Sequence, residues 1–391
     1  MRTRTASMLL AAGLAAVAAW PAGPAGASAL ANVETAPAVW IRVSANIGYT
    51  CAIAADHSLW CWGANGNAEL GIGGQSVFSR DLPVQVGTRA DWSQVSTGFT
   101  HACATRMDHT LWCWGENDAG DLGIGSEADQ RSPARVGTGA VWAEVSAGDS
   151  HTCAITTTGR LWCWGSNVSG QLGTGDTADS GVPVRVGMSA DWAAVSAGGY
   201  YTCAITTAGT LWCWGANGAG QLGTGSTAGS DAPVQVGTAA DWAQVAAGAG
   251  HACAIRKPGT LWCWGDDSYG DLGVGSTASS DVPVQVGSRS DWTRVSAGSP
   301  ISPETCAVHA DPTLFCWGYG RNGQLGNGGT ESRKVPTRVM PEGGWWQVAA
   351  GGDHTCAIRG DRTLWCWGDD TAGELGIGSF TGSSDVPVQV G

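Results

Sequence analysis

The stretch HTCAITTTGRLWCWGSNVSGQLGTG, His151–Gly175, places two cysteines ten residues apart around a turn. Thr158-Gly159 lies midway between them, and Gly supplies the backbone freedom a tight turn needs. A hairpin folded about Thr158 sets Cys153 opposite Cys163, Ile155 opposite Leu161 and Ala154 opposite Trp162. Directly opposed residues of an antiparallel pair have Cα atoms roughly 4.5–5.5 Å apart. That lies within the span of about 4.4–6.8 Å that a disulfide bridges. A cross-strand disulfide is therefore expected. Side chains alternate between faces along a strand, so the bridge shares a face with Ile155 and Leu161. Trp162 and Trp164 point to the other face, opposite the small residues Ala154 and Thr152.

The same unit recurs along the chain. Cys51 is followed by Cys61, Cys103 by Cys113, Cys153 by Cys163, Cys203 by Cys213, Cys253 by Cys263, Cys306 by Cys316 and Cys356 by Cys366, every pair ten apart. Each of these seven pairs is expected to form a disulfide. Each unit carries W-x-x-V (beginning at Trp40, Trp92, Trp142, Trp192, Trp242, Trp292 and Trp345), C-A-x, L-[W/F]-C-W-G and P-x-x-V. A fixed period of about 50 residues marks a repeat architecture. Four short β-type runs per unit, seven times over, predict an all-β, seven-bladed β-propeller of four-stranded blades with one hairpin disulfide per blade. A solenoid is the alternative, but solenoids need atypical capping repeats, and here the first and last copies are as complete as the rest. Stacked blades would bury both faces of each hairpin and set one blade's indoles against the next blade's bridge. Whether P-x-x-V closes its own blade or the next one is open at this level.

Composition narrows the partners. The chain has 391 residues with 33 Asp+Glu against 20 Lys+Arg, a formal net charge of −13. Such a chain repels phosphate backbones, which argues against nucleic acid and anionic membrane surfaces. Arg2 and Arg4 precede an apolar run from Met8 to Trp20, and the small-x-small sequence Ala27-Ser28-Ala29 follows. Residues 1–29 read as a secretory signal peptide and 30–37 as a linker, with a single propeller over 38–391. A secreted, extracellular or periplasmic protein without membrane insertion is expected, in a disulfide-permissive compartment, and as a monomer.

With C-A-I, L-W-C-W-G and P-V-x-V in place, the chain resembles the regulator of chromosome condensation repeat family. Gly165-Ser166-Asn167 with Gly170-Gln171-Leu172-Gly173 carries the likeness. It recurs at Asn217 with Gly220-Gln221-Leu222-Gly223, and at Gly323-Gln324-Leu325-Gly326. The resemblance covers Ala38 to Gly391 and implies a propeller commonly closed by pairing strands from both chain ends. Eponymous members exchange nucleotide on a small nuclear GTPase and bind chromatin, a role that export, acidity and disulfides argue against here. A plant ultraviolet-B photoreceptor of the same fold uses tryptophans, but 20 of the 22 Trp here occupy repeated landmark positions and read as core. The secreted bacterial type includes a propeller that inhibits β-lactamases by protein contact. The family thus implies a binding scaffold rather than an enzyme.

Other chemistry fits the residues less well. Zinc sites favour closely spaced ligands, not a spacing of ten. The H-x-C histidines (His101, His151, His251, His354) have Tyr49, Tyr201 and Glu304 as counterparts in other copies, which suggests a tolerant strand start. G-Q-L-G lacks the Lys-Ser/Thr ending of a phosphate loop. Glu69, Asp121, Asp271 and Glu374 replace its Gln, without a dense calcium ligand set. No nucleophile–base constellation stands out. We expect no enzyme activity, no catalytic residue, no cofactor and no metal.

If the regular units are architecture, function is sought where they break. From Leu of Q-L-G to Pro is 11 residues in five copies, but 13 in the first and 12 in the seventh. The sixth copy lengthens the Trp-to-Cys spacing from 11 to 14. All three insertions fall at the end of the ring that carries the V-S-A-G and G-Q-L-G loops, the long-loop face, in copies adjacent once the ring closes. Candidate binding residues there are Phe78, Arg80, Ile301, Glu304, Tyr319, Arg321 and Phe380. Aromatic residues and Arg are common interface anchors, whereas surface loops also tolerate neutral insertion. Two readings of the partner follow. One is an extracellular protein, including a secreted enzyme that the propeller inhibits. The other is a glycan or cell-envelope polymer stacked on exposed aromatics.

Overall fold

The computed structural model describes residues 37–391 apart from 75–76, 138, 299–301 and 341–342. Residues 1–36, with the expected signal peptide and most of the linker, lie outside the described residues. The remaining chain is all β: 28 strands form seven four-stranded antiparallel sheets. In the first blade, β1 (Trp40–Asn46), β2 (Tyr49–Ala54), β3 (Leu59–Ala64) and β4 (Ser79–Gln85) pair in chain order. Every later blade repeats that order with four consecutive strands.

This corrects the closure implied by the family resemblance. Among the described residues no strand is passed between blades, and the terminal strand Gly382–Gln389 pairs within its own sheet, Val388 opposite Cys366. The register is the one seen at Cys163 and Val184 in the third blade. Closure rests instead on side chains. Cys356, Ile358, Leu364, Cys366 and Val390 of blade seven pack on Trp40, Trp60 and Trp62 of blade one. The internal seams are built alike: Cys153, Ile155, Leu161 and Cys163 meet Trp192 and Trp214 of the next blade. Bridge-plus-aliphatic faces therefore pack on indole faces, and seven copies of one asymmetric contact close a ring.

The hairpin pairing is as expected. Cys153 opposes Cys163 and Ile155 opposes Leu161. All seven disulfides form. Cys51 is bonded to Cys61, Cys103 to Cys113, Cys153 to Cys163 and Cys203 to Cys213. Cys253 is bonded to Cys263, Cys306 to Cys316 and Cys356 to Cys366. The Cα–Cα distance is 4.1 Å in every one. That is tighter than the expected spacing and lies nearer the close, non-hydrogen-bonded type of antiparallel pair.

A bulge and an edge position explain two of the motifs. In a regular strand, residues three apart face opposite sides, yet Trp142 and Val145 of W-x-x-V are both buried. A bulge resolves this. Trp142 opposes Thr156 and Glu144 opposes Ile155, so one extra residue turns both side chains into the core. The same shift follows the landmark Trp in all seven blades. The outermost strand carries the Pro of P-x-x-V, where a missing N–H costs no ladder bond.

W-x-x-V strands are innermost and line the central channel. Their facing edges are stitched by side chains rather than by a sheet ladder. Ser Oγ of one blade accepts the backbone N–H of the next at Ser44–Thr97, Ser96–Ala147, Ser146–Ala197, Ser196–Ala247 and Ser296–Ala350, at 2.9–3.0 Å.

Candidate functional site

The two ends of the ring differ, as the strand directions require. Backbone bonds from Ser166 N to Ser150 O (2.8 Å) and from Glu116 N to Thr100 O (3.0 Å) place the long loops beside the V-S-A-G loops. At the opposite end, Trp142 N donates to His109 O (2.9 Å) and Trp192 N to Gly159 O (3.1 Å), which sets the hairpin tips beside the interblade links.

Each G-Q-L-G loop is a connector to the next blade. In the third, Gln171 Oε1 accepts Ser169 N–H (2.9 Å) and closes the turn. Its backbone carbonyl accepts both Trp214 Nε1–H (2.9 Å) and Thr202 Oγ1–H (2.8 Å) from the fourth blade. The indole bond recurs at all seven seams, at 2.7–2.9 Å. Acids at the Gln position do the same work: Glu69 Oε2 accepts Asn67 N–H and Glu374 Oε2 accepts Ala372 N–H, both at 2.8 Å. Burial pushes the carboxyls of Asp121, Asp271 and Glu374 up to about 7. The loop is thus a turn and a seam contact.

The H-x-C position has a role that the repeat reading missed. Its side chain is fully buried and bridges to the next blade. His101 meets Thr152 (2.9 Å), His151 meets Thr202 (2.9 Å), His251 meets Thr305 (2.9 Å) and His354 meets Thr50 (2.7 Å). Where the residue is Tyr, the facing position is Ala. Tyr49 donates to His101 O (2.6 Å) beside Ala102, and Tyr201 donates to His251 O (2.5 Å) beside Ala252. A longer phenol needs the smaller neighbour and reaches past it to the backbone. The His–Thr and Tyr–Ala alternation between successive copies was the available signal.

The expected binding residues separate into three groups. Phe78 is 83% exposed and Phe380 56% exposed. Phe78 ends the long loop of blade one and Phe380 lies in that of blade seven, whose Gly378 N donates to Asp81 O of β4, three residues beyond Phe78, at 2.8 Å. Arg80 is half-buried beside them, and its guanidinium donates to Ser79 O. Tyr319 is half-buried in the sixth blade's loop and packs edge-on against the exposed Tyr269 of the fifth, with ring centroids 5.0 Å apart; Arg321 is exposed nearby in sequence. Glu304 does not join the surface. It occupies the His/Tyr seam position and is fully buried, and its Oε1 accepts Gly352 N–H at 3.0 Å. Burial, reinforced by Asp353 and Asp271, holds its carboxyl well above the ordinary range. Ile301 lies outside the described residues.

The described residues bring one set of possible metal ligands together: Asp353, Asp369 and Glu374 of blade seven offer oxygens within 4.8 Å of one another. Each already serves a neighbour. Asp353 Oδ1 takes His354 Nδ1 (2.9 Å), Asp369 Oδ2 takes Thr371 Oγ1–H (2.7 Å) and Glu374 closes its turn.

Comparison with known proteins matches this geometry. The RCC1-like domain family model covers residues 23–343, and a regulator of chromosome condensation (RCC1) repeat covers 347–374. Human WBSCR16 superposes with a TM-score of 0.74 at 21% identity, over 85% of this chain and 94% of that one. Prp20p of Saccharomyces cerevisiae gives 0.76 at 19%, over 90% and 87%. Sequence matches are shorter. Human HERC3 is 32% identical over 92 residues, 23% of this chain and 9% of that protein. RUG3 of Arabidopsis thaliana is 32% identical over 82 residues, 21% of this chain and 18% of that protein. The chain thus matches only a small part of those longer relatives. A seven-fold unit in which each loop carbonyl holds the next blade's indole, matched by one family model over most of its length, makes this chain a member of the RCC1-like propeller family.

Proposed function

We propose that the protein is an exported, non-catalytic binding propeller that grips a partner protein with the long-loop rim of blades six, seven and one. The observation that carries this reading is the pair Phe78 and Phe380, largely exposed on the long loops of two adjacent blades. Apolar rings in water are costly to leave uncovered, and burying a phenyl ring stabilises a complex by about 1.5–3 kcal/mol. Arg80, Arg321, Tyr319 and, by sequence position, Ile301 complete a rim of anchors in an acidic molecule. Disulfides in every blade fit an oxidising compartment, and among the described residues no helix is long and apolar enough to cross a membrane. Prp20p, a structural neighbour, was crystallised in a study of its binding to Gsp1p and histones, so protein binding has a precedent in the fold.

The test immobilises the purified protein beside a Phe78→Ala/Arg80→Ala/Phe380→Ala variant and probes both with proteins of the surrounding medium. A partner retained by the first and lost at least tenfold by the second supports the reading. A partner that binds both equally moves the site off this rim. Retention of a purified glycan in place of any protein would give the surface to a polysaccharide.

A further inference from the structure

Three features left unused by the seam architecture converge at the hairpin-tip mouth of the channel. Trp346 is the one tryptophan of the propeller outside the three landmark positions; its counterparts are Ile41, Ser93, Ala143, Ala193, Ala243 and Thr293. Arg42 and Arg294 stand one residue further along the innermost strands of blades one and six, on either side of the blade that carries Trp346. All three line a cavity of about 600 Å³ inside the ring. Arg294 and Trp346 also line an adjoining groove of about 310 Å³.

The position of the arginines has a structural use elsewhere. Gln94 clamps the next innermost strand through both its amide atoms, to Val145 O (3.2 Å) and from Val145 N (3.1 Å). Gln244 does the same with Val295 (3.2 and 3.3 Å). Gln347 donates to Val43 O (2.9 Å), and Glu144 accepts Val195 N–H (3.4 Å). Arg42 and Arg294 make no such clamp. Ala194 also lacks it, but adds no charge. Two seams therefore give up a backbone contact and present an exposed cation to the channel.

Those cations have no acid partner among the described residues. Arg89, Arg106, Arg256, Arg289 and Arg333 pair with Asp or Glu. Arg42 only returns to the carbonyl of Ile41 (3.0 Å). Two guanidiniums lie over the Trp346 ring, Arg42 at 5.8 Å and Arg362 at 5.0 Å from its centroid. Glu144, the acid lining the cavity, turns into its seam, and burial pushes its carboxyl up to about 7. A locally positive recess in a chain of net charge −13 is not a by-product of composition.

The geometry points to a binding site for a carboxylate bearing a flat apolar body: Arg42 and Arg294 take the charge, and Trp346, flanked by Arg362, supplies the face for the body. Guanidinium forks match carboxylate oxygens, and the cavity has the size of a small-molecule pocket. The carboxylate belongs to a free small acid or to an acidic side chain of an inserted peptide.

Calorimetric titration of the full protein distinguishes these sources. The probes are phenylacetate, its neutral analogue phenylacetamide, and the blocked dipeptide acetyl-Phe-Asp-amide. Phenylacetate should bind at least tenfold more tightly than phenylacetamide, and Arg294→Gln or Arg42→Gln should weaken it at least tenfold. A dipeptide that binds more tightly than phenylacetate assigns the site to a peptide. Each Gln variant should also install the missing seam clamp, so its unfolding midpoint stays level or rises while binding falls, which separates lost recognition from lost folding. Equal affinity for acid and amide, affinity unchanged in both Gln variants, or no binding of any probe overturns the assignment. Phe78→Ala/Phe380→Ala, at the other end of the ring, should leave phenylacetate affinity unaltered, so neither proposal falls with the other.

Discussion

Gly173 and Gly175 lie two residues apart in one loop and both adopt positive φ, +69° and +86°. Their surroundings differ. A Cβ on Gly175 would meet nothing within 4 Å, whereas one on Gly173 would stand 2.6 Å from Nε1 of Trp214. Gly175→Ala should therefore cost only the left-handed backbone penalty, about 1–2 kcal/mol. Gly173→Ala carries that penalty and more. The indole must shift, and it is fully buried with its Nε1–H donated to Gln171 O at 2.9 Å. Leaving a buried donor unpaired costs a further 1–3 kcal/mol or so. The expected total is about 2–5 kcal/mol. Guanidinium unfolding with disulfides intact, followed by tryptophan fluorescence, reads both variants. Equal destabilisation by the two would refute the claim that the last Gly of G-Q-L-G exists to admit the next blade's indole.

Other outcomes follow from the same seams. Thiol titration of unfolded, unreduced protein should find no free cysteine, and Cys153→Ala/Cys163→Ala should lower stability by about 2.5–3 kcal/mol on the loop-entropy account; free thiols near the full cysteine count would defeat the pairing. Tyr201→His should destabilise the seam between blades four and five, and adding Ala252→Thr should restore part of the loss by recreating the His–Thr bridge of other seams; purely additive effects in the double-mutant cycle would refute that coupling. Burial holds Asp121 at about 7, so between roughly pH 4 and 7 the folded chain retains a proton that the unfolded chain has released, and this contribution to stability falls as pH rises. Buried His101, His151 and His251, lowered to about 4, 3 and 4, work in the opposite direction below about pH 6.5, the ordinary histidine value. Asp121→Asn should therefore make the change of stability with pH more positive by close to one proton's worth at about pH 5–6, and by roughly half of that at about pH 7; an unchanged slope would contradict the burial effect.

Much of the fold could be read from Cys, Trp and Gly alone. A spacing of ten about Thr158-Gly159 specifies a hairpin because cross-strand register is a local geometric consequence of the turn. Seven complete copies specify a ring because every bridge face needs an indole face and no copy is built as a cap. W-x-x-V already encoded the bulge, since only an extra residue lets Trp142 and Val145 share a core. The exposed rim was partly legible: Phe78 and Phe380 stood out as insertions and are exposed, whereas Glu304 did not follow, because whether a strand-start residue faces solvent or a neighbouring blade depends on the packing between blades.

What the sequence determined by itself was the blade, since its turns, alternation and disulfide involve residues within one period. What tertiary structure decided was everything between blades. It kept the terminal strand in its own sheet, gave the H-x-C position a buried partner some 50 residues away, and turned Arg42, Arg294 and Trp346 toward one channel. Those relations join residues of different repeats through the curvature of the ring, and no local pattern in the chain carries that curvature.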